Sequence, residues 1–258
     1  VNKTALWWAY RMLAPVVDAR AVRQSFRNMG RYPAYVRSLG AYRRLAGGLP
    51  ARVADLWPQL GDQDSSSQTG GGHYFYQDVW ALNKLAASTH PYHVDVGSRV
   101  DGFVGQATAI KPVIFIDIRP VQLAVERLRL VDGSLLQLPL RSASVPSLSC
   151  LHVIEHIGLG RYGDPLNPHG PALAARELAR ALAPGGDLYV GVPVGRPSVQ
   201  FNAHRVLGPS QVTDLFGGLE LVDFAGVDDE GAFCRAIQPG ALDTCRYACG
   251  LFHFRKPD

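Results

Sequence analysis

Seven apolar runs, at residues 92–96, 113–118, 128–131, 147–152, 187–192, 219–224 and 249–254, constrain this chain more than any other feature. Most are continuous rather than alternating, and a strand without alternation has to be covered on both faces. Such strands pack as a mostly parallel sheet between layers of helices. Helical periodicity supplies the covering elements. Residues 78–87 read as amphipathic, and residues 171–182 place Ala174, Leu178, Ala181 and Leu182 on one face before Pro184, Gly185 and Gly186 end the pattern. The expected fold is α/β and Rossmann-like, with a mostly parallel, seven-stranded, doubly wound sheet over residues 73–258.

Residues 1–60 lack any strand pattern and are rich in Ala, Leu and Arg, which indicates a helical extension. Pro15, Pro33, Pro50 and Pro58 predict that it is broken into several short helices. Residues 61–72 form a polar, Gly- and Ser-rich run with nothing to bury, a linker or loop. Charge divides the same way: residues 1–60 carry ten basic side chains against Asp18 and Asp55, a net +8, whereas the remaining 198 residues sum to −4. That asymmetry calls for an anionic partner of the extension. Trp7, Trp8, Tyr10, Met12 and Leu13 add interface-type aromatic and apolar groups, so peripheral membrane contact is one expectation and a helical lid on the main domain the other. No run of about 18 apolar residues is present, and a cytoplasmic protein is expected. Cys150, Cys234, Cys245 and Cys249 are too few and too late in the chain to frame a disulfide-stapled fold. Cys245 and Cys249 also have the wrong spacing for a C-x-x-C site, so inert thiols are expected.

Ligands of open α/β sheets bind outside the carboxyl ends of the strands, and those ends hold suggestive residues. The first run closes on Asp95-Val96-Gly97-Ser98, where Gly97 permits a sharp turn and close approach of the backbone. The second ends on Asp117, about twenty residues after the glycine turn, where a ribose diol is usually held. Asp132-Gly133-Ser134 follows the third, and His152-Val153-Ile154-Glu155-His156 follows the fourth.

This ordered set resembles class I S-adenosylmethionine-dependent methyltransferases over roughly residues 90–227. The resemblance implies S-adenosylmethionine as cofactor: Asp95, Gly97 and Ser98 beside its methionine part, Asp117 on the ribose, Asp132 with Gly133 and Ser134 at the adenine, and His152, Glu155 and His156 facing the methyl group. The segments Glu155-His156-Ile157-Gly158-Leu159-Gly160-Arg161-Tyr162-Gly163-Asp164-Pro165 and Phe201-Asn202-Ala203-His204-Arg205 are also similar to signatures of a methyltransferase-like family of unknown function. Two departures stand out. The usual second glycine of the first loop is replaced in Gly97-Ser98-Arg99, and the stretch between Asp117 and the third run is too short for a full crossover helix.

The expected reaction is transfer of the sulfonium methyl to a hydroxyl oxygen. His156 is the first candidate base and His204 the second, with Glu155 as orienting group. Arg161, Tyr162, Asp164, His169 and Arg205 are expected to contact a small-molecule or glycan acceptor bearing an anionic group, such as a sugar in surface-polysaccharide assembly. Nucleic acid is not the expected acceptor, because the catalytic part is acidic overall and shows no reader motif.

Two rivals remain. One is a catalytically silent binding protein with the same fold. The other is a metal-dependent hydrolase using Glu155, His156 and Asp164, with His169 and His204 nearby. The H-x-x-E-H string at 152–156 is not read as a zinc-protease motif, since that motif belongs on a helix and this one leaves a strand; no metal ligand set is assigned.

Overall fold

The computed structural model describes residues 19–45, 56, 58, 60, 72–119 and 122–258. The chain divides into two compact units, Val1–Gly70 and Gly71–Asp258. Of the expected linker only Gly72 lies among the described residues, as do none of the aromatic residues at 7–10.

Among the described residues of the first unit, α1 (Ala19–Arg44) runs through Pro33, where the sequence predicts a break; Pro15 and Pro50 lie outside the described residues. Proline removes one backbone donor and crowds the preceding turn, but the helix-favouring residues on either side carry the helix across it. The segment holds seven arginines and no acidic residue. Its exposed Val22, Phe26, Met29 and Val36 recur at helical spacing and form one apolar stripe.

The second unit opens with α2 (His73–Ala87), five residues earlier than its amphipathic pattern indicated, and β1 (His93–Val96). A π-helical turn at Val100–Val104 and a short helical turn at Gly105–Ala107 lead to β2 (Val113–Asp117), β3 (Leu128–Asp132) and β4 (Val145–Leu151). Next come α3 (Gly170–Ala181), β5 (Leu182–Val194), the hairpin of β6 (Ser198–Gln200) and β7 (His204–Val206), and α4 (Pro209–Leu215). The chain finishes with β8 (Glu220–Val227), β9 (Phe233–Cys234), a 3-10 turn at Pro239–Leu242 and β10 (Ala248–Arg255).

The main sheet runs β3-β2-β1-β4-β5-β10-β8-β9. Strands β3 to β5 are parallel, and β10 is antiparallel to both β5 and β8. All seven anticipated strands are present. The sheet has eight because β9, a two-residue strand on the edge, was too short to leave a sequence pattern.

Double coverage explains the continuous apolar runs. On one face Ala174, Leu178 and Ala181 of α3 and Val212 of α4 pack on Leu148, Val190, Val192 and Phe252. On the other, Trp80, Ala81 and Leu85 of α2 with Phe103 and Val104 cover Val113, Phe115, Tyr189 and Leu251. Between β2 and β3 the described residues contain no helix, and β3 is correspondingly half-exposed. Because Leu178 is fully buried, Leu178→Ala should lower unfolding free energy by about 2–5 kcal/mol, measurable by urea denaturation.

Candidate functional site

The site rests on a buried polar relay beneath the strand ends. Asp95, the third residue of β1, is fully buried. Its carboxylate accepts hydrogen bonds from the Ser98 amide (3.0 Å), the Ser98 hydroxyl (2.6 Å) and the Ser149 hydroxyl of β4. Ser98 Oγ in turn accepts the Leu151 amide at 3.1 Å. On its far side Ser149 meets His93 Nε2 at 2.8 Å, and His93 Nδ1 meets Ser147 Oγ at 2.8 Å. Since Ser149 gives its only proton to Asp95, His93 must donate from Nε2 and accept at Nδ1. Burial pushes His93 down to about 3, so the ring is neutral, and pushes Asp95 up to about 6 against the opposing pull of its hydrogen bonds.

Above this relay lies a cavity of about 640 Å³. Its wall includes Gly97, Ser98 and Arg99 after β1, Asp117 and Arg119 after β2, and Gly133 and Ser134 after β3. Gly97 has φ +74°, and a Cβ there would come within 3.0 Å of Val153. At Gly133 a Cβ would meet Pro139 and Ile116 at 2.8 and 2.9 Å, so the close packing of this turn requires glycine. Asp117 presents a carboxylate that is only 8% exposed. It accepts from the Arg119 amide at 2.7 Å and from the Arg119 guanidinium at 3.1 and 3.2 Å. The Arg119 guanidinium also lies over the Tyr162 ring, 4.6 Å from its centre.

The wall continues through Tyr74, His152, His156 and Tyr162, with Tyr74 beneath Arg99 and Tyr162 beneath Arg119. His156 Nδ1 faces the Ala203 carbonyl at 2.6 Å, which fixes the proton on Nδ1 and leaves the Nε2 lone pair open. Burial holds this ring down to about 4. Glu155 is buried, with Oε1 3.6 Å from His156 Nε2 and Oε2 without a hydrogen-bond partner. Burial raises it to about 8, so it is neutral at pH 7. His152 occupies a left-handed backbone conformation (φ +56°), and both of its buried ring nitrogens lack a hydrogen-bond partner.

The loop between β4 and α3 is built around Arg205. Its guanidinium donates to the carbonyls of Ile157 (2.7 Å), Glu155 (3.2 Å) and Asn167 (3.4 Å). Asp164 accepts the Gly158 amide at 2.5 Å. A Cβ at Gly158 would sit 2.0 Å from the Asn167 carbonyl, and one at Gly170 would sit 2.1 Å from that of Ile157.

Several expected contacts therefore fall elsewhere. Asp95 lies under the cavity, with its oxygens committed to Ser98 and Ser149. Asp132 is exposed and points away from the wall that Gly133 and Ser134 form. Arg205 is buried and spent on loop carbonyls, while His169 is exposed at the start of α3. His204 and Glu155 lie behind the wall, and Arg161 is bonded to the Ala203 carbonyl (3.0 Å) beside Tyr162. Glu155, His156 and Asp164 do not converge as a ligand set among the described residues. Conversely, sequence reasoning missed Tyr74, Arg99 and Arg119. The two arginines follow strand-end residues that were singled out, and that adjacency was the available signal.

Three solved structures share this architecture. The [4+2]-cyclase SpnF superposes with a TM-score of 0.54 at 15% identity, over 74% of this chain and 86% of that one. A chain of the Haloferax volcanii complex between the Trm112 methyltransferase activator and its candidate methyltransferase gives 0.52 at 15% identity, over 72% and 90%. N-methyltransferase NodS from Bradyrhizobium japonicum, in complex with S-adenosyl-L-homocysteine, gives 0.50 at 16% identity, over 86% and 98%. The chain has the class I methyltransferase fold. Within this methyltransferase fold, residues 144–236 match the family described as "Caenorhabditis protein of unknown function, DUF268". That stretch contains both the 155–165 and the 201–205 segments. No curated protein matches.

The raised Glu155 makes a pH prediction. A carboxyl whose pKa is raised by folding contributes stability below its unfolded value, about 4.3, and loses it as pH rises through about 8. Glu155→Gln cannot ionise. It should therefore gain on the native chain with rising pH, by on the order of a few kcal/mol at pH 8, in denaturation curves taken across the pH range. A difference that stays flat with pH would contradict a buried, neutral Glu155.

Proposed function

We propose that the chain is an S-adenosylmethionine-dependent methyltransferase acting on a hydroxyl oxygen, with His156 as general base. One observation carries this reading: a single cavity joins the Gly97 turn and the Asp117 carboxylate to the open Nε2 of His156. Its volume is within the range of about 300–1,000 Å³ usual for ligand sites.

The residues present fit the cofactor. Gly97 lets the chain pass close to its methionine part, and Arg99, on the same wall, suits the methionine carboxylate. Asp117 suits the ribose diol once the exposed Arg119 guanidinium yields it, and the Gly133-Ser134 turn lines the space beside it where the adenine would lie. When bound, the cofactor supplies an electrophilic methyl on a sulfonium. Asp95 is a positioning residue in this scheme, holding the Ser98 turn to β4. His156 Nε2, on the cavity wall, would accept the proton of the acceptor hydroxyl. The low His156 pKa keeps the ring unprotonated, and so able to accept a proton, at neutral pH. Arg119 and Arg161, clustered about Tyr162, favour an acceptor with a phosphate or carboxylate, and a sugar in surface-polysaccharide assembly has that chemistry.

Calorimetry with S-adenosylhomocysteine tests the cofactor: saturable binding is expected, weakened at least about tenfold by Asp117→Ala, since a charged hydrogen bond of roughly 1.5–3 kcal/mol is lost. No binding at millimolar cofactor would favour the silent-fold alternative. His156→Ala should lower kcat by about 10²–10⁴ while leaving cofactor affinity intact. With the native chain, the acid limb of the pH–rate profile should fall near 4 rather than at the ordinary histidine value.

For α1 we propose an anionic bilayer surface as partner, on the strength of its seven arginines, absence of acids and exposed apolar stripe. The full chain should co-sediment with vesicles containing phosphatidylserine and not with neutral ones, and Phe26→Glu with Met29→Glu should abolish this. Equal binding by the double variant would overturn the assignment.

A further inference from the structure

The orphaned ring of His152 does not stand alone. His73, at the start of α2, and Cys249, the second residue of β10, reach the same point from two other elements. One ligand atom from each of the three lies within 4.8 Å of the other two. We propose that His73, His152 and Cys249 form a zinc(II) site beside the cavity, with its fourth position open.

Four features support it. Both nitrogens of His152 are buried and without a hydrogen-bond partner, an arrangement native interiors avoid unless something else satisfies the group. The same residue holds a left-handed backbone (φ +56°) that glycine would adopt more easily, so a histidine is kept there despite its conformation. His73 is hydrogen-bonded to the backbone of Tyr247 and stacked on that ring at 5.1 Å. Metal-bound imidazoles are commonly oriented in this way through their second nitrogen. Cys249 is fully buried, and among the described residues its thiol has no hydrogen bond better than a 4.0 Å approach to the neighbouring Gly250 carbonyl.

The donor set selects the ion. Two imidazoles and a thiolate suit zinc rather than magnesium or calcium, which take oxygen ligands. Zinc bonds of about 2.0–2.3 Å put adjacent ligand atoms roughly 3.3–3.8 Å apart, so atoms now within 4.8 Å of one another must draw together by up to about 1.5 Å, within the reach of side-chain rotation. On binding, the thiol proton is released to solvent and the sulfur–zinc bond forms in its place. Because His152 is part of the cavity wall, the site would adjoin the cavity. A hydroxyl bound there would lose its proton more readily, so the site would assist His156 if the transfer occurs. Metal binding itself does not depend on that reading.

The test uses the full chain without an affinity tag. After incubation with zinc and removal of excess ion, elemental analysis should find one zinc per chain, and Cys249→Ser and His152→Ala should each lower retention at least about tenfold. Cobalt(II) loading should give a thiolate charge-transfer band in the near ultraviolet that Cys249→Ser removes. X-ray absorption of the unmodified zinc-loaded protein should show sulfur and imidazole in the first shell, so misfolding of a variant does not leave the question open. Failure to retain zinc, a shell of oxygen and nitrogen alone, or retention unchanged in both variants would overturn the proposal. Calorimetry with S-adenosylhomocysteine, run separately, tells loss of this site from failure of the methyltransferase reading.

Discussion

One buried carboxylate ties the neighbouring strands β1 and β4 together beneath the cavity. Asp95 binds both the amide and the hydroxyl of Ser98 and reaches across to Ser149 of β4. The turn after β1 is thereby tied to the strand whose end carries His152 and Glu155. Desolvating a carboxylate is costly, and the raised Asp95 pKa shows that burial wins over its hydrogen bonds. Removing one partner would leave the rest of the relay buried and unsatisfied, which is more damaging than never having built it. The His93–Ser147–Ser149 extension spreads the constraint along β1 and β4, so these two neighbouring strands share one polar spine inside the sheet.

A second internal charge does for the long loop what Asp95 does for the short turn. Arg205 gathers three carbonyls of the β4–α3 connection, and the missing Cβ atoms at Gly158 and Gly170 allow the backbone to close around it. A guanidinium is suited to this because its planar donors reach several acceptors at once. The loop that holds Tyr162 and His156 is thus supported from inside, although most of its sequence looks like an exposed connection.

The sheet was legible in the sequence because burial on both faces leaves continuous apolar runs such as Val113–Asp117. Strands β6, β7 and β9 were not, being short and partly exposed. Pro33 misled because a local rule about one residue was outweighed by its helix-forming neighbours. For the candidate site, residue type and position at strand ends pointed to loops that meet at one cavity: Gly97, Ser98, Asp117, Gly133, Ser134, His152, His156, Tyr162 and Asp164 all line it. Direction was not legible. Asp95 and Asp132 sit on strands of similar pattern, yet one turns into the core and the other out to solvent, and spacing does not distinguish them. The meeting of His73, His152 and Cys249 depends on three elements brought together only by the order β1-β4-β5-β10 and the placement of α2 against it.

The pairing of Asp117 with Arg119 gives the cavity a resting state of its own. A ligand that takes the carboxylate does not enter a vacant receptor but displaces a side chain, so its affinity reflects the difference between two partners of the same acid. The guanidinium is 57% exposed while the carboxylate is 8% exposed, so the resident partner can retire into water at little cost and the acid cannot. Occupancy is therefore biased toward exchange, never toward abandonment. A small neutral molecule that fills the space without replacing Arg119 would meet a site already satisfied.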